Sequence, residues 1–255
     1  MGNRGEVSRV GDTVRRPVGR HAAAIALLLE HLAAEGFPAP VPRGRDEDGR
    51  ETFEWIEGDV PVPPYPPWSL TGEALRSVGR LLRRYHNAVR SFEPPHDLAW
   101  SGELADPHGG PIICHNDVCP ENVVFRDGEA LALLDFDFAA PGRPVWDLAN
   151  TARMWIPLRP PESAGERAHL DPLDRLAILA AGYGLDVPEH QSFVDAIILS
   201  KQLGTRFVER RVRAGEPAFV EAWEQRGGKG GDDRLIAWLE RNRGAFLRAL
   251  STRKP

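Results

Sequence analysis

The N-terminal quarter of the chain combines short β-prone runs with one helical stripe. Two such runs within residues 7–16 flank Gly11-Asp12, a turn pair that predicts a β-hairpin. Residues 20–35 are predicted to form an α-helix, because an apolar stripe recurs there with helical spacing, at Ile25, Leu28, Leu29 and Leu32. Residues 51–57, ETFEWIE, then predict one more strand.

Proline dominates the next segment, PVPPYPPW, which has five prolines between Pro61 and Pro67. Proline fixes φ and donates no backbone hydrogen bond, so this segment is predicted to be a stiff connector. It also marks the predicted domain boundary. A small α/β unit with a hinge is expected at 1–60, and a larger, mostly helical unit at 61–255.

Helical periodicity prevails after the connector. Thr71 is a typical N-cap, and a broad apolar face follows it, which predicts a long helix. The short apolar runs 123–125 and 131–136 flank an Asp-Gly pair and predict a second hairpin. The glycine-rich stretch 226–231 is predicted to be a flexible loop. Further helices are predicted near 144–155, 171–182, 189–213 and 232–250.

Composition narrows the class of protein. A hydrophobic content of 42% with 27% charged residues is typical of a globular protein. The net charge of −5 argues against a general nucleic-acid binder, whose surface is basic. The sequence has no apolar run long enough to span a membrane and no apolar signal core, so we expect a cytoplasmic protein. Cys114 and Cys119 lack partners at zinc-site spacing and are expected to pack in the interior.

The segment ICHNDVCPENVVF concentrates polar side chains of distinct chemistry. Asp117 and Asn122 lie five positions apart, and Asp135 follows at the end of the next apolar run, in LLDFDF. A carboxylate can orient an acceptor hydroxyl and take its proton, and Asp117 is placed for that role. Mg²⁺ prefers hard oxygen ligands, which Asn122 and Asp135 offer. The predicted hairpin between them returns the chain, so that both can face one metal ion.

These residues resemble the motifs of the aminoglycoside phosphotransferase and choline kinase family, relatives of the protein kinases. The matching parts are HNDVCPENVVF, LLDFDFA, Gly142 and the WDLA sequence that contains Asp147. The resemblance implies an α+β, two-lobed protein-kinase-like fold, with a reduced N-terminal β/α lobe and a larger, mostly helical C-terminal lobe. It also implies that His115 braces the catalytic loop and that Asp147 buttresses it.

The activity that this resemblance implies is that of a small-molecule kinase. Such an enzyme moves the γ-phosphate of ATP, with Mg²⁺, to a hydroxyl of an aminoglycoside, an amino alcohol or a sugar. Adenine is expected to bind the main chain of the segment that joins the lobes, at Glu54, Trp55 and Ile56. The side chains of these residues are therefore weakly predictive.

The resemblance is incomplete near the N-terminus. Family members carry a strand lysine that binds the nucleotide phosphates, but the first 200 residues of this chain contain no lysine. Arg15 and Arg16 are the basic residues at about the corresponding place, and only one can face the cleft because strand side chains alternate. Gly2 and Gly5 precede the hairpin without the G-x-G-x-x-G spacing of a phosphate loop.

Two kinds of function stay open at this point. The intact Asp117, Asn122 and Asp135 favour an active kinase, whereas the missing lysine and the short N-terminal lobe favour a non-catalytic binding or immunity protein of the same fold. The acceptor is also open. Acidic side chains after Gly142 would suit a cationic aminoglycoside, although acidic helix faces are commonly solvated. Four aromatic side chains would suit a quaternary amine but commonly pack in cores: Trp100, Trp146, Trp155 and Tyr183.

Overall fold

The computed structural model describes residues 7–252, so Gly2, Gly5 and Lys254 lie outside the described residues. Its N-terminal part is an antiparallel sheet of four strands in the order β1-β2-β4-β3, with one helix between β2 and β3. The elements are β1 (Ser8–Val10), β2 (Thr13–Arg16), α1 (Ala22–Ala34), β3 (Pro42–Arg45) and β4 (Glu51–Glu54).

The predicted hairpin and helix are both present, and the prediction missed one strand. Strand β3 reads PRGR, which has no apolar alternation, and it joins the sheet edge with a register shift between Pro42 and Gly44. Strand β4 is shorter than the predicted 51–57 and ends at Glu54. It ends there because its partner strand turns away at the hairpin, where the Trp55 N–H donates to the Asp12 carbonyl at 2.8 Å.

The connector leads into the second predicted helix. A short 3₁₀ turn at Pro67–Leu70 precedes α2 (Gly72–Ala88). The Thr71 hydroxyl accepts a hydrogen bond from the N–H of Ala74 at 3.2 Å, which confirms the predicted N-cap. The apolar face of α2 is buried in the hydrophobic core.

The middle of the chain forms two small ribbons and one helix. Strand β5 (Ile112–Cys114) pairs with β8 (Ala140–Gly142), and β6 (Val123–Arg126) pairs with β7 (Glu129–Leu133). The β6–β7 turn places Asp127 and Gly128 at φ of 52° and 81°, as a two-residue turn with two positive φ angles requires. The predicted second hairpin is thus present, and α3 (Pro144–Trp155) follows it.

Four helices complete the fold: α4 (Pro172–Tyr183), α5 (His190–Arg213), α6 (Pro217–Gln225) and α7 (Gly228–Thr252). The prediction missed α6, and the predicted loop at 226–231 was wrong, since α7 begins inside it. Glycine lowers helix propensity, but the Gly231 N–H still closes the first turn on the Gly227 carbonyl at 3.0 Å. Buried Leu239 and Phe246 hold the rest of α7 against the core.

One hydrophobic core runs through both parts, from the N-terminal helix to α7. Helices α2 and α4 cross closely where glycine removes the side chain: a Cβ on Gly182 would lie 2.4 Å from the Arg76 carbonyl oxygen, and one on Gly79 would lie 2.7 Å from the Leu179 carbonyl oxygen. Within residues 7–252, no helix is both long and apolar enough to cross a membrane.

Candidate functional site

The loop between β5 and β6 carries Asp117 and is held from below by Asp147 of α3. One carboxylate oxygen of Asp147 accepts from the Asn116 N–H at 2.8 Å. The other accepts from the His115 N–H at 2.8 Å and from His86 Nε2 at 3.0 Å. Burial alone would raise the pKa of Asp147, but the hydrogen bond and charge of His86 and the hydrogen bond from the His115 N–H lower it overall. Asp147 is fully buried and accepts hydrogen bonds from two N–H groups of the loop, so its role is to support the loop.

His115 also has a bracing role. Its Nε2 lies 2.9 Å from the Leu134 carbonyl, and its Nδ1 accepts from the Asp117 N–H at 3.3 Å. Burial lowers the pKa of His115. The two bonds require a neutral ring with its proton on Nε2, because Nε2 must donate to a carbonyl and Nδ1 accepts from an N–H. This ring ties the loop to the end of β7, one residue before Asp135.

Asp117 and Asn122 meet across the loop. The Asn122 side-chain amide donates to the Asp117 carbonyl at 2.9 Å and to the Asp117 carboxylate at 3.0 Å. Burial and the negative charge of Asp135 raise the pKa of Asp117 to about 7, against the lowering effect of the Asn122 hydrogen bond. The loop therefore presents an oriented carboxylate close to a second one.

Asp135 directly follows the β6–β7 hairpin in an unusual backbone conformation, with a φ of 59°. Such a left-handed φ is uncommon for a residue other than glycine and is concentrated at functional sites. One carboxylate oxygen, Oδ1, is buried without a hydrogen-bond partner. Burial and the charge of Asp137 raise the pKa of Asp135, while the charge of Arg16 acts in the opposite direction.

These groups fit a hard cation. The buried Asp135 Oδ1 accepts no hydrogen bond and can serve as a ligand atom, and the Asn122 amide bonds Asp117 through its nitrogen, so its oxygen is not used in that contact. Within residues 7–252, no group of three or more His, Cys, Asp or Glu side chains forms a metal site. A cation here would therefore depend on the amide and on ligands from outside the chain, such as phosphates.

Arg16 faces this site from the N-terminal sheet, and Arg15 does not. The Arg16 guanidinium lies 2.9 Å from Asp137 and 3.9 Å from Asp135, with 17% of its side chain exposed. Arg15 lies on the opposite face of β2, where it pairs with Asp46 at 3.6 Å. Strand alternation thus places one arginine, Arg16, at the cleft.

The sequence analysis missed a carboxylate partner of Arg16 within the N-terminal sheet. The Glu51 carboxylate of β4 accepts from Arg16 Nε at 3.2 Å. Glu51 lies directly opposite Arg16 in the β2–β4 register, so this ion pair follows from the pairing of the two strands. The signal that could have found it is that β4 is the next antiparallel neighbour of β2.

The predicted hinge residues lie at the end of β4: Glu54 is its last residue, and Trp55 and Ile56 follow it. The N–H groups of Glu54 and Trp55 donate to the carbonyls of Val41 and Asp12, both at 2.9 Å or less. Neither N–H is therefore available to an adenine ring. Ile56 is the next position along this segment.

The aromatic side chains considered for amine stacking belong to the core. Trp146, Trp155 and Tyr183 are buried, and Trp100 packs against the same core. Trp155 also donates from its indole N–H to the Val118 carbonyl at 2.8 Å, which adds a further brace to the loop. Burial raises the pKa of both thiols, and Cys114 is buried, so neither cysteine is poised for reaction.

The fold has two lobes, a small sheet with one helix and a larger helical part, and the larger part carries Asp117, Asn122 and Asp135. This is the arrangement of kinase-like phosphotransferases. The family model described as "Phosphotransferase enzyme family" matches residues 98–179. The trifolitoxin immunity protein of Rhizobium leguminosarum bv. trifolii is 34% identical over 240 residues, which are 88% of this chain and 90% of that protein. The chain belongs to this phosphotransferase family.

Solved structures share the fold at low sequence identity. A choline/ethanolamine kinase family protein from Mesorhizobium loti superposes with a TM-score of 0.65 and 17% identity, covering 96% of this chain and 88% of that chain. The GDP and kanamycin complex of an aminoglycoside 2″-phosphotransferase superposes with a TM-score of 0.55 and 14% identity, covering 91% and 88%. The expected protein-kinase-like fold, with a reduced N-terminal lobe, is confirmed.

Proposed function

We propose that this protein transfers the γ-phosphate of ATP to a hydroxyl of a small molecule in a Mg²⁺-dependent reaction, with Asp117 as the base. The proposal is carried by the proximity of four side chains: Asn122 bonds Asp117 at 3.0 Å, Arg16 of the sheet lies 3.9 Å from Asp135, and the charge of Asp135 raises the pKa of Asp117. The membership of the phosphotransferase family supports the same chemistry.

Each residue of the candidate site has a distinct role in this proposal. Asp117 accepts the proton of the acceptor hydroxyl, and the hydrogen bond from Asn122 fixes the direction of its carboxylate. Asp147 and His115 keep the loop in place, so that little reorganisation is needed when the substrates bind. Catalysis of this kind depends on positioning and charge neutralisation more than on covalent help.

Asn122 and Asp135 are the residues that would hold Mg²⁺. When bound, the ion would neutralise charge on the nucleotide phosphates. Asp135 Oδ1 is buried and accepts no hydrogen bond, and its nearest cation is Arg16 at 3.9 Å, which agrees with a role as a ligand.

Arg16 is proposed to neutralise the nucleotide phosphates in place of the family lysine, with Glu51 holding its Nε. Its planar fork can bind two phosphate oxygens, which a lysine cannot do in the same way. The adenine is proposed to contact the main chain at the end of β4 and just after it, at Glu54 to Ile56. Because the first two N–H groups there are already bonded, Ile56 and the carbonyl groups are the contacts we expect.

A transfer assay tests the base. Turnover of ATP and of GTP is measured against a panel of hydroxyl compounds, with wild type, Asp117→Asn and the surface control Asp233→Asn. We expect Asp117→Asn to lower transfer by about 100-fold or more while nucleotide affinity stays within about twofold. Equal turnover in Asp117→Asn and wild type would remove Asp117 as the base.

Arg15 provides a matched control for Arg16, because the two are neighbours on opposite faces of one strand. We expect Arg16→Gln to weaken ATP binding by about tenfold or more, and Arg15→Gln to leave it unchanged. Equal effects of the two substitutions would contradict the phosphate-binding role of Arg16.

A second candidate function is that of a non-catalytic immunity or binding protein. The observation in its favour is the 34% identity to an immunity protein over most of both chains. It predicts that no acceptor is phosphorylated and that Asp117→Asn retains the protective activity. The kinase proposal predicts that any such activity disappears with Asp117→Asn.

A further inference from the structure

Five basic side chains gather beside the catalytic loop, and we call them the basic cluster. Two belong to helices, two to the segment between α3 and α4, and one to the turn between α6 and α7: Arg153, Lys201, Arg159, Arg167 and Arg226. The proposed reaction uses none of them. The proposed nucleotide site therefore does not explain why these five cations lie close together.

One carboxylate, Asp232 of α7, lies among these cations. It is buried, with an oxygen 2.6 Å from Lys201 Nζ, and Arg226 Nε lies 4.0 Å from its other oxygen. The Thr205 hydroxyl also donates to it at 2.7 Å. This carboxylate is thus saturated by its neighbours, and the cationic side chains of the cluster outnumber it.

The cations of the cluster act on one another. Burial lowers the pKa of Arg153 to about 10, against the charge of Asp232, and the charges of Arg159 and Arg226 lower it further. Burial likewise lowers the pKa of Lys201 to about 8, against the hydrogen bond and charge of Asp232 and with the charges of Arg153 and Arg226. A further anion among these groups would relieve this repulsion.

Part of the cluster has donors to offer such an anion. Arg159 Nε is buried without a hydrogen-bond partner, and Arg159 lines an open cavity of about 300 Å³ in the segment between α3 and α4. Asp171 also lines this cavity, but its carboxylate is engaged, since it accepts from the Leu173 N–H at 2.8 Å. Arg226 has 38% of its side chain exposed and is accessible from solvent.

The cluster borders the catalytic loop at two points. Arg167 donates to the Met154 carbonyl at 3.0 Å, and the next residue, Trp155, bonds the Val118 carbonyl of the loop. The Arg167 guanidinium also lies 5.8 Å from the ring of Tyr65. The hydroxyl of Tyr65 reaches Glu121 of the loop at 3.2 Å. A molecule held at Arg159 and Arg167 would therefore lie beside the loop that carries Asp117.

We propose that the basic cluster binds the anionic group, a carboxylate or a phosphate, of the acceptor whose hydroxyl is phosphorylated. This inference rests on the proposed function for its reaction. The acceptor O–H bond breaks and its proton passes to Asp117, the acceptor oxygen bonds the γ-phosphorus, and the bond to the β-phosphate oxygen breaks to release ADP. A polycationic acceptor would be repelled by the cluster, so the substrate class is a hydroxy acid or a hydroxyl-bearing phosphate ester.

A titration with inorganic phosphate tests the anion site independently of transfer. Calorimetry is performed in an Arg16→Gln background at constant ionic strength, so that phosphate does not report on the proposed nucleotide site. We expect Arg159→Gln to weaken phosphate binding by roughly tenfold or more, because a charge-assisted contact is lost. Arg159→Lys keeps the charge and should retain most of the affinity, and Arg241→Gln, which removes an exposed charge from α7, should change nothing.

The titration has two contradicting outcomes. Absence of phosphate binding at millimolar concentration would overturn the anion site. Equal affinity in Arg159→Gln and its parent would do the same, because phosphate would then bind elsewhere. Circular dichroism of each variant verifies that it is folded. If Arg159→Gln does not fold, Arg167→Gln, which removes a neighbouring cation of the cluster, should weaken phosphate binding in the same way, and unchanged affinity there would overturn the anion site.

A transfer assay with matched acceptors separates an acceptor site from a site for free phosphate. Glycerol, glycerate and glycerol 3-phosphate share a hydroxyl and differ in the anionic group. We expect a higher kcat/KM for an anionic acceptor than for glycerol, and Arg159→Gln should raise its KM with little change in kcat. Equal kcat/KM for all three would overturn the anionic acceptor and leave the proposed kinase intact. If none is phosphorylated and Mg²⁺–ATP does not bind, the proposed function fails, while the phosphate titration still decides the anion site.

Discussion

Replacement of Asp147 by asparagine removes the buried charge on which the catalytic loop rests. The carboxylate accepts three hydrogen bonds, from the N–H groups of His115 and Asn116 and from His86 Nε2. An asparagine has one acceptor oxygen, so its NH₂ group faces at least one of these donors. The substitution Asp147→Asn therefore disrupts at least one charge-assisted bond in the interior.

The magnitude follows from these contacts. A hydrogen bond to a charged group contributes about 1.5–3 kcal/mol, and a buried donor left without a partner costs about 1–3 kcal/mol more. We therefore expect Asp147→Asn to lower the free energy of unfolding by about 3–5 kcal/mol. Urea denaturation followed by tryptophan fluorescence and by circular dichroism measures this change.

The matched control is Asp233→Asn, which removes an exposed acid of α7. Its partner Lys229 is also exposed, so we expect the free energy of unfolding to change by less than about 0.5 kcal/mol. A loss below about 1 kcal/mol in Asp147→Asn would refute the role of this carboxylate as the support of the loop.

Three further outcomes follow from the same contacts. In the folded state the pKa of Asp147 lies below its ordinary 3.8. The stability that the ionised carboxylate contributes is therefore complete above pH 3.8 and is lost as the pH falls through the lower, folded-state pKa. The free energy of unfolding should accordingly depend less on acid pH in Asp147→Asn than in wild type. Gly182→Ala places a Cβ against the Arg76 carbonyl and should lower the free energy of unfolding by about 1–3 kcal/mol, measured as a lower urea midpoint. Thr71→Ala removes the cap of the Ala74 N–H and should cost about 1 kcal/mol in the same assay, whereas an unchanged midpoint would deny the cap a role.

Local signals in the sequence were sufficient for most of the helices and both hairpins. Apolar spacing and turn pairs act within a few residues, so the boundaries of α3 and the turn of β6–β7 could be predicted closely. Strand β3 escaped because it sits at a sheet edge, where pairing with β4 and not its own pattern makes it a strand. Helix α7 begins in glycine because packing of its later residues stabilises the whole helix.

The candidate site was predictable as a set of residues but not as a set of contacts. Motif spacing identified Asp117, Asn122 and Asp135. The choice between Arg15 and Arg16 needed the orientation of β2, which one residue of register would reverse. Glu51 was missed because its contact with Arg16 spans 35 positions and arises from strand pairing.

The basic cluster could not be predicted from the sequence for a similar reason. Its members are spread from Arg153 to Arg226 over two helices and two connecting segments, and each resembles an ordinary surface cation in an arginine-rich chain. Their proximity depends on the packing of α3, α5 and α7. Only the tertiary structure shows that so many cations share one carboxylate.

The most direct test of the central claim is the thermal stability of the protein with nucleotide and Mg²⁺. A ligand that binds only the folded state stabilises it, by about 2.7 kcal/mol at a concentration one hundred times its Kd. We expect ATP with Mg²⁺ to raise the Tm of wild type and of Asp233→Asn, and the Mg²⁺-dependent part of this shift to vanish in Asp135→Ala. No shift at millimolar ATP in wild type, or an equal Mg²⁺-dependent shift in Asp135→Ala, would contradict a phosphotransferase site built on Asp117, Asn122 and Asp135.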